Sequence, residues 1–320
     1  MDSLNITNGS NSVELMNAAG IGGDKMSWDD ILHEGPVPHG LTLRELSAVR
    51  ASFISQLGWG NADEIQRKFT NRDELLEKSA EYAKIVLWFE HDLYDQLQLV
   101  QILDWFHQQV GLQCSLSLIG TGKHLGHHSP QEIAALKSTD EIVSDRQLQL
   151  ASDIWNAFTA SDPRSLNELL KQDLSELPFM KCALLRLAEE YPSIESGLPQ
   201  TEKLVLEALL DGAMTPADLF NAYQHLEQAE FMGDSTFWVR LNQMAFCHQP
   251  LVALQIIEPI SYPLNPKQKI IITDYAKQVL AGQIDWFSVN KLSKFIGGCE
   301  VSRRNQWRWN AAQKQLELKK

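Results

Sequence analysis

The chain has 320 residues, 41 of them acidic and 28 basic, and its net charge at pH 7 is −13. A chain of this length buries enough apolar surface to be stable without a disulfide or metal staple. The cysteines Cys114, Cys182, Cys247 and Cys299 lie far apart, which excludes a zinc ribbon, a CxxC redox motif and a disulfide framework. Because no targeting segment and no membrane-length apolar run is visible, we expect a cytoplasmic protein without membrane association.

The N-terminal part alternates between strand and helix patterns. Residues 3–7 alternate at period two, and the spacing of Asn11 and Glu14 predicts a capped helix directly after them. The next elements are predicted, in chain order, as a strand at 25–28 and helices at 41–57 and 61–81.

The third strand and the helix after it give the clearest pattern. Residues 84–89 form a continuous apolar run, which is typical of a strand buried on both faces of a parallel sheet. Apolar residues then recur every three or four positions from Leu93, which predicts a helix, and residues 112–119 alternate as a fourth strand. Strands joined by helices predict an α/β domain over residues 1–125, doubly wound around a mostly parallel sheet. The residues expected to be buried in it are Leu4, Ile6, Val86, Leu87, Trp88 and Leu118.

Two further parts follow the α/β domain. Residues 126–198 have helix patterns with standard capping residues, and we interpret them as a helical connecting module. Residues 199–320 contain three helix patterns and then two apolar strand-like runs, at 251–257 and 269–273. Three helices followed by a two-stranded ribbon is the order of a winged helix, so we predict a winged-helix-like C-terminal domain that ends in a β-hairpin.

The last 30 residues are basic, with eight Lys and Arg against two acidic residues. We predict that residues 300–302 and 307–310 form a hairpin, with Trp307 and Trp309 buried on one face of the second strand. Arg308 is then expected on the opposite, solvent-facing side. Because the rest of the chain is strongly acidic, we do not expect nucleic-acid binding.

Several strings, spread from Leu4 to Asn310, occur together in one known family. They are LNITNGS at 4–10, LHEGPVPHGL at 32–41 with Arg44 and Arg50 downstream, VLWFEHDLYDQLQL at 86–99, LPF at 177–179, GLPQTE at 197–202, and the closing GG and WRWN. In these strings the chain resembles the bacterial family called domain of unknown function 1835. The GG pair is followed by Cys299 and Glu300, where the family pattern has an apolar residue and a histidine. The resemblance implies a fold shared over nearly the whole chain and implies no reaction.

Polar residues follow all four predicted strands of the α/β domain. In a doubly wound sheet, ligands bind beyond the carboxyl ends of the strands, so we expect these residues to line one cleft. Carboxylates and imidazoles at such ends are costly to bury without partners and suit acid–base work. The predicted catalytic residues are His33, Glu34, Glu90 and His91, and the predicted ligand-binding residues are Asn8, Gly9, Ser10, Asp92 and Thr121. No metal ligand and no cofactor is assigned.

Each of these residues also has a purely structural interpretation. Asp92 stands where a helix N-cap would, the Asn8-Gly9 pair is typical of a turn, and His33 suits a hydrogen-bonded structural histidine. His124, His127 and His128 cluster in a glycine-containing loop and have the chemistry to ligate a metal, but solvated loop histidines are commoner.

Three functions remain open from the sequence. In the first, the α/β domain binds a small phosphorylated or nucleotide-like ligand and the C-terminal half contacts a protein partner. In the second, the chain is a hydrolase in which His33 or His91 is the general base, and Glu34 or Glu90 orients it or holds a divalent ion. In the third, it is a DNA-binding regulator. The reading helix expected at 235–249 offers only Arg240 for phosphate contacts, so the third is the weakest.

Overall fold

The computed structural model of the chain describes residues 3–109, 111, 114–290 and 292–319. Its largest sheet has five strands in the order β2-β1-β3-β4-β5. Pairing is parallel from β2 through β4 and antiparallel between β4 and β5, so the predicted mostly parallel sheet with flanking helices is confirmed. The strands are β1 Ser3–Thr7, β2 Asp24–Ser27, β3 Lys84–Glu90, β4 Ser115–Thr121 and β5 Glu141–Ile142. The sequence did not predict β5, and Leu112 and Gln113, where the fourth strand was predicted to begin, lie outside the described residues.

Eight α-helices lie among the described residues from 10 to 188. Three of them, at Thr42, Ser129 and Ser144, begin with a capping box, in which the hydroxyl and the residue three positions on satisfy each other's backbone amides. The bounds are α1 Ser10–Ala18, α2 Leu43–Gln56, α3 Ala62–Glu77, α4 Leu93–His107, α5 Pro130–Leu136, α6 Asp145–Thr159, α7 Arg164–Leu170 and α8 Met180–Ala188.

The chain divides into two compact units, one of Met1–Leu184 with Phe295–Cys299 and one of Leu185–Lys294 with Glu300–Lys320. The helices after residue 125 therefore pack with the sheet up to residue 184, whereas the sequence predicted boundaries near 125 and 198. Gly298 explains why the segment 295–299 belongs to the first unit. A Cβ there would lie 1.6 Å from the carbonyl oxygen of Thr159, so only glycine permits this close approach.

The central strand β3 is buried on both faces. Val86 and Trp88 pack with Met16 of α1 and Ile133 of α5, while Leu87, in the alternate register, is also fully buried. The predicted burial of Leu4, Ile6, Val86, Leu87 and Trp88 is confirmed. Leu118 is only half-buried because it lines a pocket described below.

Helix α4 is buried around most of its circumference, and its polar side chains hold the loops at the strand ends. Gln96 Nε2 donates to the carbonyl of Glu90 at 2.6 Å, and Gln98 Nε2 donates to the carbonyl of Asp30 at 3.0 Å. Gln101 accepts from the indole of Trp28 at 2.8 Å. Each of these three side-chain amides makes at least one hydrogen bond, which offsets part of the cost of its burial, and together the bonds fix the edge of the sheet that carries the candidate site.

The second unit combines helices with small antiparallel sheets. Among its described residues, three helices precede the antiparallel pair β6-β7, and two short helices follow it. The bounds are α9 Gln200–Ala208, α10 Pro216–Leu226, α11 Asp234–Phe246, β6 Val252–Leu254, β7 Ile270–Ile272, α12 Asp274–Leu280, α13 Trp286–Asn290, β10 Trp307–Asn310 and β11 Gln315–Leu318. Strands β8 Lys294–Ile296 and β9 Cys299–Val301 each contain residues of both units. None of the helices in the described parts of the chain is long and apolar enough to cross a membrane.

The C-terminal strands correct two predictions. Trp307 and Trp309 are each 6% exposed, so their predicted core packing is confirmed. Arg308, expected in solvent, is only 1% exposed, because its Nη2 donates to Asp285 and Ser288, both at 3.1 Å. The predicted pairing of 300–302 with 307–310 is also wrong, since β10 pairs with β11.

Candidate functional site

The candidate site lies where the strand order of the sheet reverses. Strand β1 has β2 on one side and β3 on the other. The connection from β1 to β2 runs towards one edge of the sheet, and the connection from β2 to β3 then passes β1 to its other side. Side chains at the carboxyl ends of β1 and β3 meet at this crevice, which is where open α/β sheets bind ligands. Asn8 follows β1, and Glu90 ends β3.

Glu90 is the centre of this site and is 5% exposed. Its Oε2 lies 2.5 Å from Nδ1 of His124, in the loop after β4. Its Oε1 accepts the backbone amide of Leu125 at 2.7 Å and the Nδ2 group of Asn8 at 3.3 Å. These partners fix the position of both carboxylate oxygens.

Two more buried carboxylates lie beside Glu90, both from the start of α4. Asp92 is the N-cap of this helix, since its Oδ1 accepts the amide of Asp95 at 3.2 Å, while its Oδ2 lies 3.6 Å from His124 Nδ1. Asp95 accepts the amide of Glu90 at 2.5 Å and Asn8 Nδ2 at 2.8 Å. The predicted capping role of Asp92 is confirmed and leaves its second oxygen facing the histidine.

The pKa values of Asp92 and Asp95 are raised in this cluster. Burial, reinforced by the charge of Glu90, raises the pKa of Asp92 from 3.8 to about 7. Burial, reinforced by Asp92 and Glu90, raises the pKa of Asp95 well above its ordinary value. A cation at this position would offset both effects, because it supplies the positive charge that these carboxylates lack.

Glu90, Asp92 and His124 together form a set that suits a metal ion. Each offers one ligand atom, and these atoms all lie within 4.8 Å of one another. In the described ranges of the chain no other group of three or more His, Cys, Asp and Glu side chains meets this criterion. Two carboxylates and one imidazole suit divalent ions such as Mn²⁺, Fe²⁺ and Zn²⁺. Three protein ligands also leave coordination positions open for water and substrate.

His91 lies at the edge of the same cluster. Its ring is 5.1 Å from the ring of His124 and 6.0 Å from the ring of Phe179. Its Nδ1 is buried and has no hydrogen-bond partner among the residues that the structure describes. Burial, with the nearby His124, lowers the pKa of His91, which favours the neutral imidazole.

His33 and Glu34 lie in a neighbouring loop that one arginine holds in place. Arg50 is fully buried, pairs with Asp30 at 2.9 Å and donates to the carbonyls of Ile31 and Glu34 at 2.9 and 2.6 Å. His33 is 3% exposed. The structure therefore assigns a clear structural role to Arg50 and to the backbone of Glu34.

The link from this loop to the carboxylates runs through Tyr94. The ring of His33 is 5.9 Å from the ring of Tyr94, whose hydroxyl donates to the carbonyl of Asn8 at 3.4 Å. Of the four predicted catalytic residues, Glu90 and His91 thus lie in the cluster, while His33 and Glu34 occupy the adjoining loop.

The remaining predicted ligand-binding residues make local contacts. The Ser10 amide, next to Gly9 at the start of α1, donates to Asp29 Oδ1 at 3.3 Å. Thr121 Oγ1 donates to the carbonyl of Lys123 at 2.9 Å and accepts its amide at 3.2 Å, so it shapes the loop after β4. That loop carries His124, which was not among the predicted site residues.

Two members of the cluster were missed by sequence reasoning. His124 was weighed with His127 and His128 as a metal ligand but was interpreted as a solvated loop histidine, and Asp95 was not among the predicted site residues. The order of the strands supplies the missing signal, because β3 and β4 are neighbours and their carboxyl ends must meet.

No protein-family model matches the chain, and no curated protein matches it. The resemblance to domain of unknown function 1835 therefore stays a prediction. What can be said about function comes from the site itself.

Proposed function

We propose that the chain is a hydrolase that depends on a divalent metal ion held by Glu90, Asp92 and His124. The observation that carries the proposal is the convergence of these three ligand atoms within 4.8 Å at the reversal point of the sheet. The raised pKa of Asp92 supports it, because a carboxylate desolvated beside another carboxylate is the environment that a bound cation relieves.

The chemistry follows from the ligands and from the imidazole next to them. Glu90, Asp92 and His124 would hold a divalent ion, which would supply Lewis-acid activation of water and of the bond to be cleaved. His91 is the candidate general base, because its pKa is lowered and its Nδ1 has no partner among the described residues. It would take the proton of the attacking water and return it to the leaving group, so that water adds across the cleaved bond.

A phosphorylated or nucleotide-like ligand was the first expectation from the sequence, and the geometry favours it less. The Ser10 amide at the start of α1, where a phosphate would be expected, already donates to the carboxylate of Asp29. The crevice beside it contains three further carboxylates, which would repel a phosphate that is not accompanied by a cation.

The C-terminal half is proposed to be a winged-helix-like interaction module. The order of α9, α10 and α11 followed by the antiparallel pair β6-β7 supports this proposal. DNA reading is disfavoured, because Arg240 on α11 is 5% exposed and pairs with Glu202 and Glu190, each at 2.9 Å. A protein partner is the better candidate for this half. The doubly wound assignment of the sheet is likewise a proposal, supported by the strand order.

Metal binding and hydrolysis test the main proposal together. We expect one Mn²⁺ ion to bind per chain, measured as the loss of the electron paramagnetic resonance signal of free Mn²⁺. We also expect Mn²⁺-dependent cleavage of at least one substrate in a panel of chromogenic esters, amides and phosphodiesters. His124→Ala should weaken Mn²⁺ binding by at least about tenfold, because it removes a ligand. His91→Gln should abolish cleavage and leave Mn²⁺ binding nearly unchanged.

His127→Ala is the matched control. His127 is exposed, lies in the same loop and is not a member of the metal-competent set. Unchanged Mn²⁺ binding in His124→Ala, or equal losses in both variants, would contradict the assignment of the ligands.

A further inference from the structure

A pocket of about 590 Å³ lies in the first unit, between α4, β4, β5 and the segment 175–179. Small-molecule pockets in proteins have volumes of about 300–1,000 Å³. The volume therefore suits a whole small molecule.

The pocket adjoins the carboxylate cluster through shared residues. Gln96, which lines it, donates to the carbonyl of Glu90 at 2.6 Å. Phe179 also lines it, and its ring is 6.0 Å from that of His91. Gly120 also lines the pocket next to Phe179, because a Cβ at this position would lie 3.5 Å from the Phe179 ring. A molecule in the pocket would thus lie beside the backbone that carries Glu90 and His91.

The inner lining of the pocket is apolar. Leu99 and Leu177 are buried and line it, together with Leu118. Leu118 stays half-buried although it lies in the middle of β4, because its side chain borders the open volume. An apolar group placed here would gain free energy by leaving water, about 25 cal/mol for each Å² of apolar surface.

The polar part of the lining consists of carboxylates and uncharged polar groups. Glu141 and Glu176 are exposed at the pocket, with the hydroxyl groups of Thr139 and Ser175. Glu176 lies 3.8 Å from Arg146, which is not part of the lining, so Glu141 is the main source of negative charge at the pocket. Within the described residues, no Lys, Arg or His lines the pocket. Carboxylates that face a cavity with low-dielectric walls attract cations and repel anions.

We propose that this pocket binds an apolar molecule that carries a cationic amine or guanidine group. We further propose that such molecules are the substrate class of the hydrolase, with the apolar body against Leu118 and the bond to be cleaved beside Glu90 and His91. The second statement rests on the proposed function, and the first does not.

Three probes that share one apolar body test the binding directly. They are 4-phenylbutylamine, 4-phenylbutanol and 4-phenylbutyrate, measured on the full chain by saturation-transfer NMR with EDTA present. We expect the amine to bind at least tenfold more tightly than the carboxylate, with the alcohol between them. Equal or tighter binding of the carboxylate, or no binding of any probe, would overturn the proposal.

Variants locate the binding and identify the charge. Leu118→Trp should abolish binding of all three probes because it fills the pocket, whereas Leu116→Trp, on the same strand but outside the lining, should not. Glu141→Gln should weaken binding of the amine and leave binding of the alcohol unchanged, with Glu168→Gln on α7 as the control. Should Leu118→Trp fail to fold, Thr139→Trp at the exposed rim gives the same test.

The result separates this inference from the proposed function. If the amine binds in the presence of EDTA but the separate resonance experiment detects no Mn²⁺ binding, the proposed pocket ligand is supported and the proposed metal-dependent hydrolase is refuted. Mn²⁺ binding that depends on His124, with no preference for the amine, would retain the metal centre and refute the pocket's specificity.

Discussion

Asp92→Asn in metal-free protein is expected to change how stability depends on pH. Asp92 has a pKa of about 7 in the folded chain and an ordinary value of 3.8. Between these values the folded state holds a proton that the unfolded state has lost, so the free energy of unfolding falls as pH rises from about 4 to about 7. At about 1.4 kcal/mol for each pKa unit, the full loss is about 4 kcal/mol.

Asparagine removes this titration and keeps the N-cap, because its side-chain oxygen still accepts the amide of Asp95. The measurement is urea unfolding in EDTA at pH 5, 6, 7 and 8. Wild type should lose stability steeply up to pH 7, and Asp92→Asn should lose clearly less, with the buried Asp95 contributing the remainder. Asp63→Asn, in the exposed first turn of α3, is the control. Equal slopes in wild type and Asp92→Asn, or stability that rises from pH 5 to 7, would refute the reasoning.

The other predictions concern packing, and each is measured as a free energy of unfolding. Trp307→Ala should cost about 3–5 kcal/mol, because it empties a buried site; a loss below 1 kcal/mol would contradict the burial. Arg308→Ala should cost about 3 kcal/mol by leaving Asp285 without its buried partner, whereas Lys319→Ala, whose side chain is 43% exposed and contacts the same carboxylate, should cost less than about 1 kcal/mol. Equal losses would show that burial does not decide the strength of these pairs. Gly298→Ala should cost at least about 2 kcal/mol through overpacking, and Gly126→Ala, where an added Cβ would meet nothing within 4 Å, should cost far less.

The sequence predicted the parallel sheet well because its strands have unambiguous patterns. The apolar run of β3 and the period-two pattern of β1 depend only on local residue order. The pairing of β5 with β4 has no such signal, since β5 contains only Glu141 and Ile142. A two-residue edge strand is defined by its neighbour in space rather than by its own sequence.

The same distinction applies to the candidate site. Glu90, His91 and Asp92 were found because they directly follow a recognisable strand. His124 was missed, since it joins Glu90 from 34 residues further along the chain and only the strand order brings the two together. Arg308 was placed wrongly because alternation says which side chains share a face, but not whether the second face is covered.

The most direct test of the metal centre is anomalous diffraction from a crystal of the full chain soaked in Mn²⁺. We expect one peak at about 2.0–2.3 Å from ligand atoms of Glu90, Asp92 and His124, which is the usual range for divalent metals with nitrogen and oxygen ligands. Absence of a peak there at saturating Mn²⁺, or a peak held by other residues while Glu90 and His124 keep their hydrogen bond, would contradict the metal centre.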